Sequence, residues 1–186
     1  MTIEILPDKV YHGTISVHRE SLLNGIDVKR GYKSVDFGQG FYTTTCFEQA
    51  EKLACDRAKA FSLKKEVTVK PLVFVYSLDK AVLSRLKGYL FNEANDKWKE
   101  FVFNNRVGEE FAISRFHNLK PRYDFVYGKV ADSNIVELTR LIETGRSNYG
   151  QYADELKPLN NGIYDQLSFH TDNAVLALKL IDDKEG

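Results

Sequence analysis

Apolar and polar positions along the chain follow two different periods, and each change of period marks an element. Lys9 to Ile15 has the pattern of a first strand, and Val17 to Leu23 has that of a short helix stopped by Asn24-Gly25. Residues 27 to 39 carry Asp27, Gly31, Asp36 and Gly38 with few aliphatic side chains, which predicts a loop. Gly40 to Thr44 is aromatic and β-branched, a short strand, and Thr45-Cys46-Phe47-Glu48 then fits a capping box. Behind it Phe47, Ala50, Leu53, Ala54, Ala58 and Phe61 recur at helical spacing, which predicts an amphipathic helix to about Leu63.

Val67 to Leu78 is strand-like, with Pro71 demanding an edge, a bulge or a break. A helical turn over Lys80 to Leu86 precedes a short strand at Gly88 to Phe91. Asn95 to Asn105 places Trp98, Phe101 and Val102 on one side of a helix. Tyr123 to Tyr127 is a strand. Asp132 or Ser133 caps a helix through Ile135, Val136, Leu138 and Ile142 that ends at Gly145. Residues 146 to 164 give no clear pattern. Leu167 to Thr171 is a strand, Thr171 or Asp172 caps a last apolar segment from Ala174 to Ile181, and Asp182 to Gly186 is expected to be a solvated tail.

Short strands separated by helices, without a regular βαβ alternation, predict a mixed α+β domain. With no repeat, low-complexity stretch or Pro/Gly-rich linker, residues 1–186 are expected to form one domain. Lys+Arg and Asp+Glu are both 26, so the net charge is zero and no global field draws the chain to nucleic acid or an anionic membrane. Two cysteines, Cys46 and Cys55, form no C-x-x-C pair, and the first residues lack a basic segment followed by an apolar one. Reduced thiols, a cytoplasmic location and no contact with membrane are therefore expected. There is no G-x-G-x-x-G and no G-x-x-x-x-G-K, so any nucleotide site must use another architecture. His18 and His117 have no partners at ligand spacing, and no metal site is expected.

Three segments carry candidate chemistry: Tyr11-His12-Gly13-Thr14, Gly38 to Thr45, and Gln166-Leu167-Ser168-Phe169-His170-Thr171. In this order they resemble the motif strands of the ADP-ribosyltransferase superfamily, in the branch of poly-ADP-ribose polymerases and diphtheria toxin named for its His, Tyr and Glu. Together with Asp36-Phe37-Gly38, Trp98, Phe101-Val102, Asn105-Arg106, Tyr123-Asp124 and Val130-Ala131, the chain is most similar to an uncharacterised bacterial group of predicted ADP-ribosyltransferase domains. The resemblance implies split antiparallel sheets with flanking helices and NAD as co-substrate. It implies that His12 bonds the adenosine ribose, that the Gly13 backbone holds the nicotinamide carboxamide, and that Tyr42 stacks on the nicotinamide ring. Thr14 and Thr43 complete the expected NAD site, and Gln166 stands at the catalytic position.

Gln166 replaces the usual glutamate and brings no charge to the oxocarbenium-like transition state, a loss of on the order of 3 kcal/mol or about a hundredfold in rate. Leu53 stands where polymerases have a second stacking tyrosine, and Ala50 where they have a serine. These departures point away from polymer synthesis and toward mono-ADP-ribosyl transfer. The acceptor would be a protein or a nucleic acid, in a bacterial intracellular toxin or effector with an antitoxin as a possible partner. The alternative is a catalytically inactive module of the same fold that binds nucleotide or a protein. A third reading is a metal-independent ribonuclease using His12 and His170, which the balanced charge disfavours.

Each residue also has a structural reading: His12 as a satisfied histidine, Tyr42 as a half-buried strand aromatic, Gln166 as an edge polar group. His170 shares a strand face with Gln166 and Ser168 and reads either as a general base or as support for the sheet. Asp165 is the nearest carboxylate but should face away from Gln166, and Asp36-Phe37-Gly38 reads as a loop turn.

Overall fold

The structure is a computed structural model in which residues 3–132 and 134–185 are described. Strand β1 (Lys9–Ile15) leads through a turn into α1 (Arg19–Leu23), then a long loop reaches β2 (Phe41–Thr43) and α2 (Phe47–Lys65). There follow β3 (Pro71–Leu78), α3 (Lys80–Leu83), β4 (Gly88–Leu90), α4 (Asp96–Phe111), β5 (Phe125–Lys129), α5 (Ile135–Glu143), α6 (Tyr149–Glu155), β6 (Asp165–Phe169), α7 (Asp172–Val175) and β7 (Leu178–Glu185). The predicted α+β class holds.

The strands form two sheets, one ordered β1-β3-β7 and one β2-β6-β5-β4. The first is antiparallel throughout, but in the second β4 runs parallel to β5, a correction to the expectation of antiparallel sheets. The reason lies in the connection. The chain leaves β4 and returns to β5 only after α4, and a long helical crossover is what a parallel pair requires.

Side-chain alternation layers the molecule. Even-numbered positions of β1 and β3 (Val10, Leu72, Phe74, Tyr76) meet Phe41, Phe125, Leu167 and Phe169 of the second sheet in one core. Odd positions face α2, where Tyr11, Val73, Ala50 and Ala54 pack together. On the far face of the second sheet, Trp98, Phe101 and Val102 of α4 join Phe37, Val126, Leu138, Ile142 and Tyr152. Burying aromatic side chains of this size stabilises each by roughly 2–3 kcal/mol against exposure.

Several details differ from the sequence reading. The charged segment Asp182–Glu185 is the end of β7, with Leu72 opposite Glu185 and Phe74 opposite Asp183, rather than a solvated tail. Backbone pairing holds it while its side chains stay mostly exposed, so no apolar alternation announced it. Strand β3 begins at Pro71, where the missing N–H interrupts no ladder even though β3 is central. Helix α4 runs past Asn105 to Phe111, with Gly108 non-helical at φ 78°. Helix α6, in the segment without a clear pattern, starts with a true capping box in which the Asn148 and Gln151 side chains each bond the other's backbone. The Thr45 capping box does not form: Cys46 is the N-cap residue and makes no side-chain cap bond, because the Thr45 hydroxyl donates to Asp165 at 2.5 Å. Helix α5 begins after Asn134, and the alternative cap Ser133 lies outside the described residues. Thr171 caps only the four residues of α7 before β7 begins. Cys46 and Cys55 are free thiols.

Candidate functional site

Where the two sheets meet, β1 and β2 touch through one bridge and then part. Tyr11 and Thr44 exchange both backbone hydrogen bonds at 2.9 Å. In a continuous antiparallel sheet the next such pair would be Gly13 with Tyr42. That pair does not form. Instead the side chain of His12 crosses the gap, and its Nδ1–H donates to the Tyr42 carbonyl at 2.7 Å. On the other side, β1 bonds β3 through its even positions: Leu78 N donates to the Asp8 carbonyl and Ser16 N to the Lys70 carbonyl. The N–H and C=O of Gly13 therefore point away from β3 and into the gap.

The gap opens into a cleft of about 1060 Å³, and His12, Gly13, Thr14, Tyr42, Thr43 and Gln166 all line it. The six residues expected to form the NAD site are thus brought to one place from three distant segments. Leu53 and Ala50 line it too, which fits a simpler pocket wall than one bearing a second tyrosine.

A carbonyl can only accept, so the proton of neutral His12 is on Nδ1 and Nε2 is left as an acceptor. Burial, aided by the charge of Arg57, lowers the His12 pKa to about 4, against the raising effect of the Tyr42 carbonyl. The ring stacks on Phe41 with centroids 4.3 Å apart. His12 is consequently a fixed, neutral hydrogen-bond acceptor at physiological pH.

Tyr42 has its hydroxyl turned away from chemistry. It donates to the Gly38 carbonyl at 2.7 Å and accepts from Phe37 N at 3.1 Å. Gly38 sits at φ 89°, a conformation a side chain would strain, and this turn brings its carbonyl under the tyrosine. Burial, then the nearby Asp36 charge, pushes the phenol well above its ordinary pKa. What Tyr42 can offer a ligand is its ring.

Gly13 has a structural reason to be glycine. A Cβ there would lie 2.1 Å from the Ala50 carbonyl oxygen, because α2 packs directly on β1. Its own carbonyl accepts from Arg57 at 2.6 Å, and Arg57 has no carboxylate within ion-pair distance among the described residues. Thr43 is committed to the fold, its hydroxyl donating to the Leu167 carbonyl at 3.0 Å.

Gln166 is buried on β6, and its Nε2 donates to Asp36 Oδ2 at 2.8 Å and to the Lys129 carbonyl at 3.2 Å. Asp36 is no simple loop turn. It is 3% exposed, ion-paired with Arg106 at 2.6 Å, and accepts from Ala131 N at 3.0 Å. Asp36 and Arg106 also line the cleft. Sequence reasoning missed them as a pair, although one signal was present: Arg106 falls one turn after Val102 on the apolar face of α4, and a charge there needs a buried partner.

Asp165 faces away from the cleft, as its neighbour's alternation requires. It accepts from Thr45 N, both threonine hydroxyls at 44 and 45, and Tyr127 Oη, tying β6 to the start of α2. His170 is 3% exposed and does not line the cleft. Its Nδ1–H donates to the Gln39 carbonyl at 2.9 Å and its Nε2 meets Ser168 Oγ at 2.8 Å. Its role is to support the sheet, since neither nitrogen can reach a ligand.

Fold and site together define an α+β protein with a cleft where the edges of two sheets diverge. A model of the family described as "Protein of unknown function (DUF3990)" matches residues 9–180, and the chain belongs to that family. No curated protein and no solved structure gives a significant match. Among the described residues no helix is long and apolar enough to cross a membrane.

Proposed function

We propose that the cleft binds NAD and that the protein transfers a single ADP-ribose unit to an acceptor. The observation that carries this reading is the open edge at Gly13: its carbonyl is taken by Arg57, its backbone N–H has no partner among the described residues, and it lines the same cleft as Tyr42 and as His12, whose Nδ1 is committed and whose Nε2 is left for a ligand. An amide donor next to an aromatic face suits a flat carboxamide-bearing ring such as nicotinamide. His12 Nε2 suits a ribose hydroxyl.

In the reaction the bond from ribose C1 to nicotinamide breaks, the electron pair leaves with the now neutral nicotinamide, and an acceptor nucleophile forms the new bond to C1 and releases its proton to water. Gly13 and Tyr42 would hold the leaving group, His12 the adenosine ribose and Gln166 the reacting ribose. The acceptor would be a protein or nucleic acid, in a bacterial toxin or effector that an antitoxin could neutralise. Incubation with NAD and cell lysate, followed by assay of free nicotinamide and mass spectrometry for ADP-ribose adducts, tests this. Nicotinamide release that depends on His12 supports it, and folded protein that consumes no NAD with any acceptor source overturns transfer.

One observation favours a second reading, nucleotide binding without turnover. The carboxylate nearest Gln166 is Asp36, and it is already neutralised by Arg106. Binding of NAD without nicotinamide release would select this reading.

A further inference from the structure

The side chain of Gln166 is held by two groups that can only accept hydrogen bonds, a carboxylate oxygen of Asp36 and the carbonyl of Lys129. Both amide hydrogens are therefore committed, and turning the amide over would set Oε1 against two acceptors. Oε1 has no partner among the described residues, nor is it among the enclosed polar atoms left unsatisfied. Asp36 is fixed in turn by Arg106, which donates through Nε at 2.9 Å and Nη2 at 2.6 Å and also reaches the Ser34 carbonyl.

We propose that Asp36 and Arg106 are positioning residues that lock the Gln166 amide with Oε1 toward the cleft, as a neutral acceptor for a ribose hydroxyl of the ligand. This rests on the NAD reading above. The buried cluster carries one negative charge on Asp36, one positive on Arg106 and none on Gln166, so it balances. A glutamate at 166 would add a second carboxylate beside Asp36 with no second cation, a costly arrangement in a buried site. Gln166 is thus matched to Asp36. Gln166→Glu alone lowers stability and gains no NAD turnover, whereas Asp36→Asn combined with Gln166→Glu restores the charge balance and recovers thermal stability.

The test uses Asp36→Asn. Its one remaining oxygen stays on the charged Arg106, which donates to that position twice, so its NH2 faces Ala131 N and Gln166, and Gln166 turns over and withdraws Oε1. Titrations with NAD and, separately, with nicotinamide then discriminate. We expect the NAD Kd to rise about tenfold while the nicotinamide Kd changes less than about twofold, since one ribose hydrogen bond is worth roughly that factor. Equal weakening of both ligands, or an unchanged NAD Kd, overturns the proposal. If Asp36→Asn does not fold, the wild-type side-chain amide decides: Gln166 NH2 protons that exchange much more slowly than exposed amides support the lock, and solvent-like exchange overturns it. Failure of the wild type to bind either ligand would remove the NAD reading itself, with the exchange result still judging the lock.

Discussion

His12 and His170 are held by the same chemistry and end with opposite roles. Each donates Nδ1–H to a backbone carbonyl, Tyr42 for one and Gln39 for the other, and burial brings each to a pKa of about 4. The difference is the second nitrogen. In His170 it meets Ser168 Oγ inside the sheet, while in His12, a cleft-lining residue, it has no partner among the described residues and is not an enclosed atom. A depressed pKa therefore marks burial at both positions, and only the direction of Nε2 separates a site residue from a support.

The sharpest way to break the pair is on stability. His170→Ala leaves the Gln39 carbonyl without its side-chain donor, leaves Ser168 only its bond to the Val126 carbonyl, and opens a hole beside Tyr42, whose ring meets His170 edge-on. A loss of about 3–4 kcal/mol is expected, read as a fall in Tm of roughly 10 °C. Gly13→Ala attacks the other member through its strand. The new Cβ would lie 2.1 Å from the Ala50 carbonyl oxygen, so β1 or α2 must shift. About 3 kcal/mol of stability should go, and NAD binding with it, as calorimetry and titration would reveal.

How far the sequence foretold this depends on the range of each interaction. Strand β1, helix α2 and strand β6 were legible because their periodicity is local, and His12, Tyr42 and Gln166 were legible as motif positions. The roles of Thr45 and Asp36 were not. The Thr45 hydroxyl is taken by Asp165, 120 residues away, and Asp36 finds Arg106 at a separation of 70 and Gln166 at 130. Likewise no pattern in residues 166 to 171 tells that both nitrogens of His170 are taken; its partner Gln39 is 131 residues away. Helix α6 had a readable cap in Asn148 and Gln151, but Tyr152 is its one buried residue, so no apolar stripe backed it.

A pH titration sharpens the comparison further. The unfolded chain protonates His170 near 6.5, while the folded protein holds it neutral to about 4. The unfolded state thus gains the proton first, so stability is full above about pH 6.5 and falls between there and 4, by up to about 3 kcal/mol from this residue. Replacing His170 with Gln should roughly halve the slope that the two buried histidines give thermal denaturation across pH 4 to 7, because His12 keeps its share. NAD affinity, by contrast, should stay level down to about pH 5, because His12 remains a neutral acceptor there.

The smallest expected effect is also the most direct. Titration of NAD into wild type, His12→Ala and His170→Ala, each at a temperature where it is folded, asks whether the open nitrogen is the one that matters. The account predicts binding by wild type, a loss of about tenfold for His12→Ala with little change in Tm, and affinity within about threefold of wild type for His170→Ala. No binding by the folded wild type, or an affinity unmoved by His12→Ala, would contradict it.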